Sequence, residues 1–124
     1  SPYNCFVRPD TRLPFMVMPD AIKSLIMLEE IEREKLSQFV YNVTSFNPTA
    51  QEIYEITTKA FPGARIGFEV DQRRQKIVDS WPEDVDDSAA RWDWGWQPDY
   101  DQERAFGEYL IPAIRKQYTE LANP

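Results

Sequence analysis

Histidine is missing from this 124-residue chain. That removes imidazole bases, His-containing triads and almost every common zinc or iron site. Any catalysis would fall to carboxylates, tyrosine, lysine or the one cysteine. Cys5 alone excludes an internal disulfide framework and fits a reducing, cytoplasmic compartment. On a short β-prone stretch it reads as a small buried hydrophobe rather than a reactive thiol. No apolar run approaches the roughly 20 residues that span a bilayer, and no signal peptide is visible at the N-terminus. The four glycines, Gly63, Gly67, Gly95 and Gly107, are too widely spaced for a loop whose amides cradle phosphate. None of the six tyrosines has lysine four residues later, so no phenol is paired with an ammonium that would make it a base.

What is present is acidic and aromatic. Asp and Glu outnumber Lys and Arg by 21 to 14, a formal charge of −7. That balance repels phosphate backbones and anionic membrane leaflets, which argues against nucleic acid and membrane partners. Aromatic residues make up 14% of the chain, enough apolar surface to argue for a folded domain rather than disorder. The length suits one domain or a piece of one.

Along the chain, Tyr3-Asn4-Cys5-Phe6-Val7 is β-prone and ends at Arg8-Pro9-Asp10. Pro19-Asp20 reads as a helix start, with proline in the first turn and an acid complementing the dipole. Ile22, Leu25, Ile26 and Glu29 recur at helical spacing, and Met27 and Leu28 widen the apolar stripe. Residues 39–44, FVYNVT, form the clearest strand by β-propensity. Asn42-Val43-Thr44 within it is formally a glycosylation acceptor, read here as strand sequence. Thr49 and Glu52 make a capping box for a helix that carries Ile53, Tyr54, Ile56 and Ala60 and stops at Pro62-Gly63. Residues 65–70, RIGFEV, alternate as a strand. Residues 71–76 read as a polar connection, with Ile77-Val78 a strand leading into Ser80-Trp81-Pro82. Asp86 or Asp87 caps a short helix ended by Gly95. A last helix runs from about residue 101 to 118, with Pro112 inside it to kink or divide it. Alternating helices and strands predict an α/β arrangement of short strands with about four helices, in one compact unit spanning residues 1–124.

Three constellations could carry function. Glu83, Asp84, Asp86 and Asp87 could hold a divalent cation, but they lack the alternation and turn glycine of a calcium loop, so capping and solvated charge explain them better. Arg73-Arg74 could grip a phosphate or carboxylate, with a solvated surface pair as the plainer reading. All four tryptophans fall within sixteen positions, Trp81 to Trp96. Trp92, Trp94 and Trp96 flank a helix end and a glycine turn, where indoles pin a chain onto its core. Trp81, in a loop and followed by proline, can instead wall a small-ligand site.

The stretches PDTRLPFMVMPDAIKS, YNVTSFNPTAQEI and DQRRQKIVDSWPEDVDDSAARWDWGWQPDYD, with the closing helix, resemble the C-terminal part of short-chain-type L-threonine 3-dehydrogenases. These belong to the extended short-chain dehydrogenase/reductase group, within the NAD-dependent epimerase/dehydratase enzymes. The DDSAARWDWGWQP ending is shared across that wider group; PDTRLP, MPDA and VDSWP are more particular to the threonine dehydrogenases. The resemblance implies a small substrate-side lobe whose Rossmann half, with its NAD site and Tyr-x-x-x-Lys pair, is absent here. It implies that the complete enzyme oxidises L-threonine to 2-amino-3-ketobutyrate and that this chain alone is not catalytic. No catalytic, cofactor-binding or metal-binding residue is therefore assigned to it.

By the same resemblance Trp81 lies close to the bound substrate. Arg74 stands roughly where epimerase relatives place an arginine that grips a sugar-nucleotide diphosphate. Trp92, Trp94 and Trp96 would lock the terminal helix onto the lobe. Two other readings stay open. One is a lobe of a nucleotide-sugar epimerase or dehydratase. The other is a stand-alone interaction module whose exposed apolar helix faces favour a homo-oligomer or a protein partner.

Overall fold

The computed structural model of the chain describes residues 2–122, the side chains as far as residue 120. It is α/β, with helices and one two-stranded parallel sheet. The chain forms two compact units: one holds the residues up to Phe15 together with Asn47–Asp84, the other Met16–Phe46 and the residues from Val85 onward.

In the first unit β1 (Tyr3–Cys5) pairs with β2 (Ile66–Phe68), Tyr3 opposite Ile66 and Cys5 opposite Phe68. A parallel pair cannot be joined by a hairpin, so all the chain between them serves as the crossover. A Cβ at Gly67 would lie 2.9 Å from Asn4 Oδ1, so a larger residue there would displace that exposed side chain. Helix α2 (Ala50–Ala60) starts with the expected capping box, Thr49 Oγ1 accepting from Glu52 N–H and the Glu52 carboxylate from Thr49 N–H. Its Tyr54 ring packs 5.8 Å from that of Phe68. Helix α3 (Gln72–Val78) follows β2 and is capped by Asp71, whose Oδ1 accepts the N–H groups of Arg73 and Arg74. Residues 71–78 are thus neither a polar connection nor a strand, because the Asp71 cap satisfies the first turn and every polar residue but Gln75 faces water.

In the second unit α1 (Met18–Glu30) begins with proline in its first turn, as its sequence predicts. The apolar stripe points elsewhere than expected. Ile22, Leu25 and Ile26 are exposed, whereas Met27 and Leu28 pack against a core of Ala90, Trp94 and Trp96. The FVYNVT stretch is not a strand. Phe39 and Val40 are exposed, and the segment is fastened through side chains instead. Tyr41 OH and Ser37 donate to Asp93, and the Thr44 carbonyl accepts from Trp96 Nε1 at 3.2 Å. β-Propensity describes fit to a pleated, half-buried surface, and this segment lies on an indole core rather than a sheet.

Helix α4 (Ser88–Trp94) has Asp86 Oδ1 accepting the Ser88 N–H at 2.9 Å, while Asp87 pairs with Arg91 at 2.8 Å. It ends at Gly95, with φ +68°, and Trp96 N–H returns to the Ala90 carbonyl. That left-handed residue is the usual glycine stop. The closing helix runs as α5 (Gln102–Arg104), a π-helical stretch Ala105–Leu110, and α6 (Ile111–Ala122). Pro112 does not divide it: helical turns run on through that residue. Lacking an N–H and crowding the carbonyl four residues back, it is accommodated by the wider turns just before it.

The tryptophans divide. Trp94 and Trp96, the latter 2% exposed, are core, with rings 6.0 Å apart and Tyr41 set edge-on to Trp94. Trp92 is 90% exposed and pins nothing. The two buried indoles hold α1 and residues 36–43. The closing helix is anchored by other aromatic pairs, Phe46 with Phe106 and Tyr100 with Tyr109.

Candidate functional site

The loop after α3 carries Trp81. It follows a helix, not the expected strand. Helix α3 turns Gln75 and Val78 inward, and Gln75 is 1% exposed. A buried amide must be satisfied, and this one is: its Oε1 accepts the Arg8 backbone N–H at 2.7 Å, and its Nε2 donates to Thr11 Oγ1 at 3.1 Å and to Asp79 Oδ1 at 2.6 Å. The Arg8 guanidinium closes on the same Asp79 carboxylate as a fork, Nη2–Oδ1 3.0 Å and Nη1–Oδ2 3.2 Å. The Arg8 hydrogen bonds, with Gln75 behind them, hold the Asp79 carboxyl below the usual carboxylate range. The same contact keeps Arg8 more firmly protonated.

Beyond Asp79 the chain turns back. Ser80 Oγ donates to the Ile77 carbonyl, and Trp81 N–H to that of Val78 at 3.0 Å. The Trp81 side chain is then 54% exposed. With Pro82, Leu13, Pro14 and Phe15 it lines an apolar hollow of about 320 Å³. The far end of the loop is tied by Asn47 Nδ2, which donates to the Glu83 carbonyl at 3.3 Å. Arg12 in turn donates to the Asn47 carbonyl. A second apolar cavity of about 400 Å³ lies beside the sheet, between β1, β2 and α2; Cys5, partly exposed, is one of its lining residues.

Arg74 lies on the solvent side of α3. Its guanidinium sits 5.0 Å from the Phe6 ring centroid, and its Nε is 3.8 Å from Asp71. It lines neither hollow. Arg8, Gln75 and Asp79 are not singled out by sequence reasoning. The signal was there: Gln75 and Asp79 are four apart, helical spacing, behind the Asp71 cap.

Chemically the Trp81 hollow can shield a small ligand and stack on it, but it brings no acid–base pair together. Among the described residues, no group of three or more Cys, Asp or Glu could hold a metal ion. A dinucleotide needs free amides at a helix start after a glycine turn. The β2-to-α3 passage is the short strand-to-helix turn among the described elements, β1 and α1 being separated by a long link. It carries no glycine loop, and its amides are occupied by the Asp71 carboxylate, which would repel a pyrophosphate. These residues do not fit such a cofactor.

No family model matches the chain. The mitochondrial L-threonine 3-dehydrogenase of Bos taurus is 39% identical over 99 residues, 80% of this chain and 26% of that protein. An uncharacterised epimerase/dehydratase of Staphylococcus haemolyticus is 37% identical over 92% of this chain and 36% of its own length. Among solved structures, the GalE-like L-threonine dehydrogenase of Cupriavidus necator in its holo form superposes with a TM-score of 0.82. It shares 38% identity over 92% of this chain and 36% of the solved one. The L-threonine 3-dehydrogenase of Trypanosoma brucei gives 0.78 at 36% identity, over 90% of this chain and 36% of its own. The chain thus spans about a quarter to a third of these relatives' length. By sequence and by fold it is a homologue of the L-threonine 3-dehydrogenases and epimerase/dehydratases.

Proposed function

We propose that this chain is the C-terminal, substrate-side lobe of an NAD-dependent L-threonine 3-dehydrogenase, without activity on its own. In the complete enzyme it walls the threonine site, and the remainder binds NAD and supplies the base for the hydroxyl proton. The observation that carries this reading is Trp81. A half-exposed indole on a loop tied at both ends, over an apolar hollow, is what a small substrate needs as a wall. The 38% identity to a solved threonine dehydrogenase supports the same choice.

The test is kinetic. In a complete enzyme containing this sequence, threonine-dependent NADH formation is expected, and none from the chain alone. Trp81→Ala should raise the KM for threonine more than that for NAD; an unchanged threonine KM would remove Trp81 from the site.

One observation favours a second reading, a nucleotide-sugar epimerase or dehydratase lobe. Arg74 keeps its guanidinium on the surface, where it could grip a diphosphate, and its ion pair with Asp71 is long. Binding of a UDP-sugar by the complete protein, lost in Arg74→Ala, would favour it over the threonine reading.

A further inference from the structure

Trp81 is not fixed by burial. Over half its surface is open, so the direction of its indole depends on the backbone it springs from. That backbone is tied on both sides. Downstream, Asn47 holds the Glu83 carbonyl and is itself held by Arg12. Upstream, Asp79, two residues before Trp81, sits in the Arg8 fork, with Gln75 joining the Arg8 backbone to the same carboxylate. Arg8 lies shortly after β1, so the segment leaving a paired strand is joined to the base of the loop.

From this arrangement we propose that Arg8, acting through Asp79, is a positioning residue that sets the Trp81 indole for the substrate. The inference rests on the reading of Trp81 as a wall of the threonine site.

Magnitudes separate positioning from stability. Arg8 and Asp79 are each about half exposed, and such ion pairs contribute little to folding. What a bidentate guanidinium–carboxylate pair supplies is angular definition, which a lysine cannot reproduce. Without it the loop base can swivel about the Val78–Asp79 junction. Substrate binding would then have to immobilise the indole, and the expected penalty is roughly a three- to tenfold rise in KM.

The test uses the chain with Trp92→Phe. Trp94 and Trp96 are buried, so emission accessible to acrylamide then comes from Trp81. Arg8→Gln and, separately, Asp79→Asn are expected to raise quenching and shift the emission to the red, with the melting temperature nearly unchanged. Arg8→Lys should restore only part of the protection. In a complete enzyme containing the sequence, the same variants should raise the threonine KM roughly three- to tenfold, with kcat and the KM for NAD changing less than about twofold. Unchanged quenching in both Arg8→Gln and Asp79→Asn would overturn the positioning role whatever the kinetics. Raised quenching with an unaltered threonine KM would also overturn it, and Trp81→Ala locates the fault. If Trp81→Ala raises KM, only the Arg8 role is wrong; if it does not, the site reading itself has failed.

Discussion

The carboxylate of Asp20, wholly buried in the first turn of α1, accepts the backbone N–H of Asp99 at 2.8 Å. Its second oxygen accepts the Tyr100 N–H at 3.0 Å. The acid that the sequence places as a partner for the helix dipole is therefore also the anchor for the chain after the tryptophans. Lys23, one turn on, reinforces it by donating to the Gln97 carbonyl and Asp99.

Removing that anchor strands two amides. Asp20→Ala is expected to destabilise by about 1–3 kcal/mol for each amide left without a partner. Asp20→Asn keeps one acceptor but turns an NH₂ toward the other N–H, so it should fall between wild type and Ala. Thermal melts of the three proteins check the order.

The two classes of tryptophan should separate in the same assay. Trp96→Ala removes a buried indole and is expected to cost about 3–5 kcal/mol. Trp92→Ala changes an exposed one and should stay within about 0.5 kcal/mol. Equal effects at the two positions would contradict the core described above.

At Gly95 the backbone is left-handed, with nothing near where a Cβ would stand. Gly95→Ala should thus cost about 1–2 kcal/mol from backbone conformation alone, and Gly95→Asn less, since asparagine tolerates this region better. Denaturant unfolding of both variants distinguishes strain from a clash, which would penalise Asn more.

Acid should loosen specific points before the core. Asp79 is held low by Arg8 and Gln75, and Asp93 by hydrogen bonds from Ser37, then Tyr41. Asp86 is held low by Ser88. A depressed carboxyl stabilises the fold fully above its unfolded value, about 4, and that contribution is lost as pH falls through the folded value. Unfolding midpoints should accordingly be flat with respect to these groups above about pH 5 and decline below about pH 4. Asp93→Asn should shrink the decline. An undiminished decline in that variant would place the acid sensitivity elsewhere.

Local chemistry was legible from residues alone. The Thr49–Glu52 box, the proline start of α1, the Gly95 stop and the Asp86 cap each depend on groups within a few positions of one another. The alternation of RIGFEV was legible too, as a strand shortened to Ile66–Phe68, although its partner β1 lies at the other end of the unit's sequence. Sequence pattern failed where a segment's partner lies far along the chain. FVYNVT has strand propensity, but its contacts are side chains some fifty residues away, Tyr41 with Asp93 and Thr44 with Trp96. Ile22, Leu25 and Ile26 keep helical spacing, yet periodicity cannot say which of two apolar faces meets a core. At the candidate site, Trp81 was visible as an unusual loop residue. Arg8 was not, because 71 positions separate it from Asp79.

The sequence by itself determined where α1 and α2 begin and where α2 and α4 end, the absence of histidine chemistry and of a phosphate loop, and the kinship with threonine dehydrogenases and epimerase/dehydratases. Those follow from residue identity and short-range hydrogen bonding. Only the tertiary structure decided which indoles are buried, which face of α1 packs, and what holds the loop of Trp81. Each depends on apolar surfaces and polar groups brought together from distant parts of the chain, and no local pattern encodes that pairing.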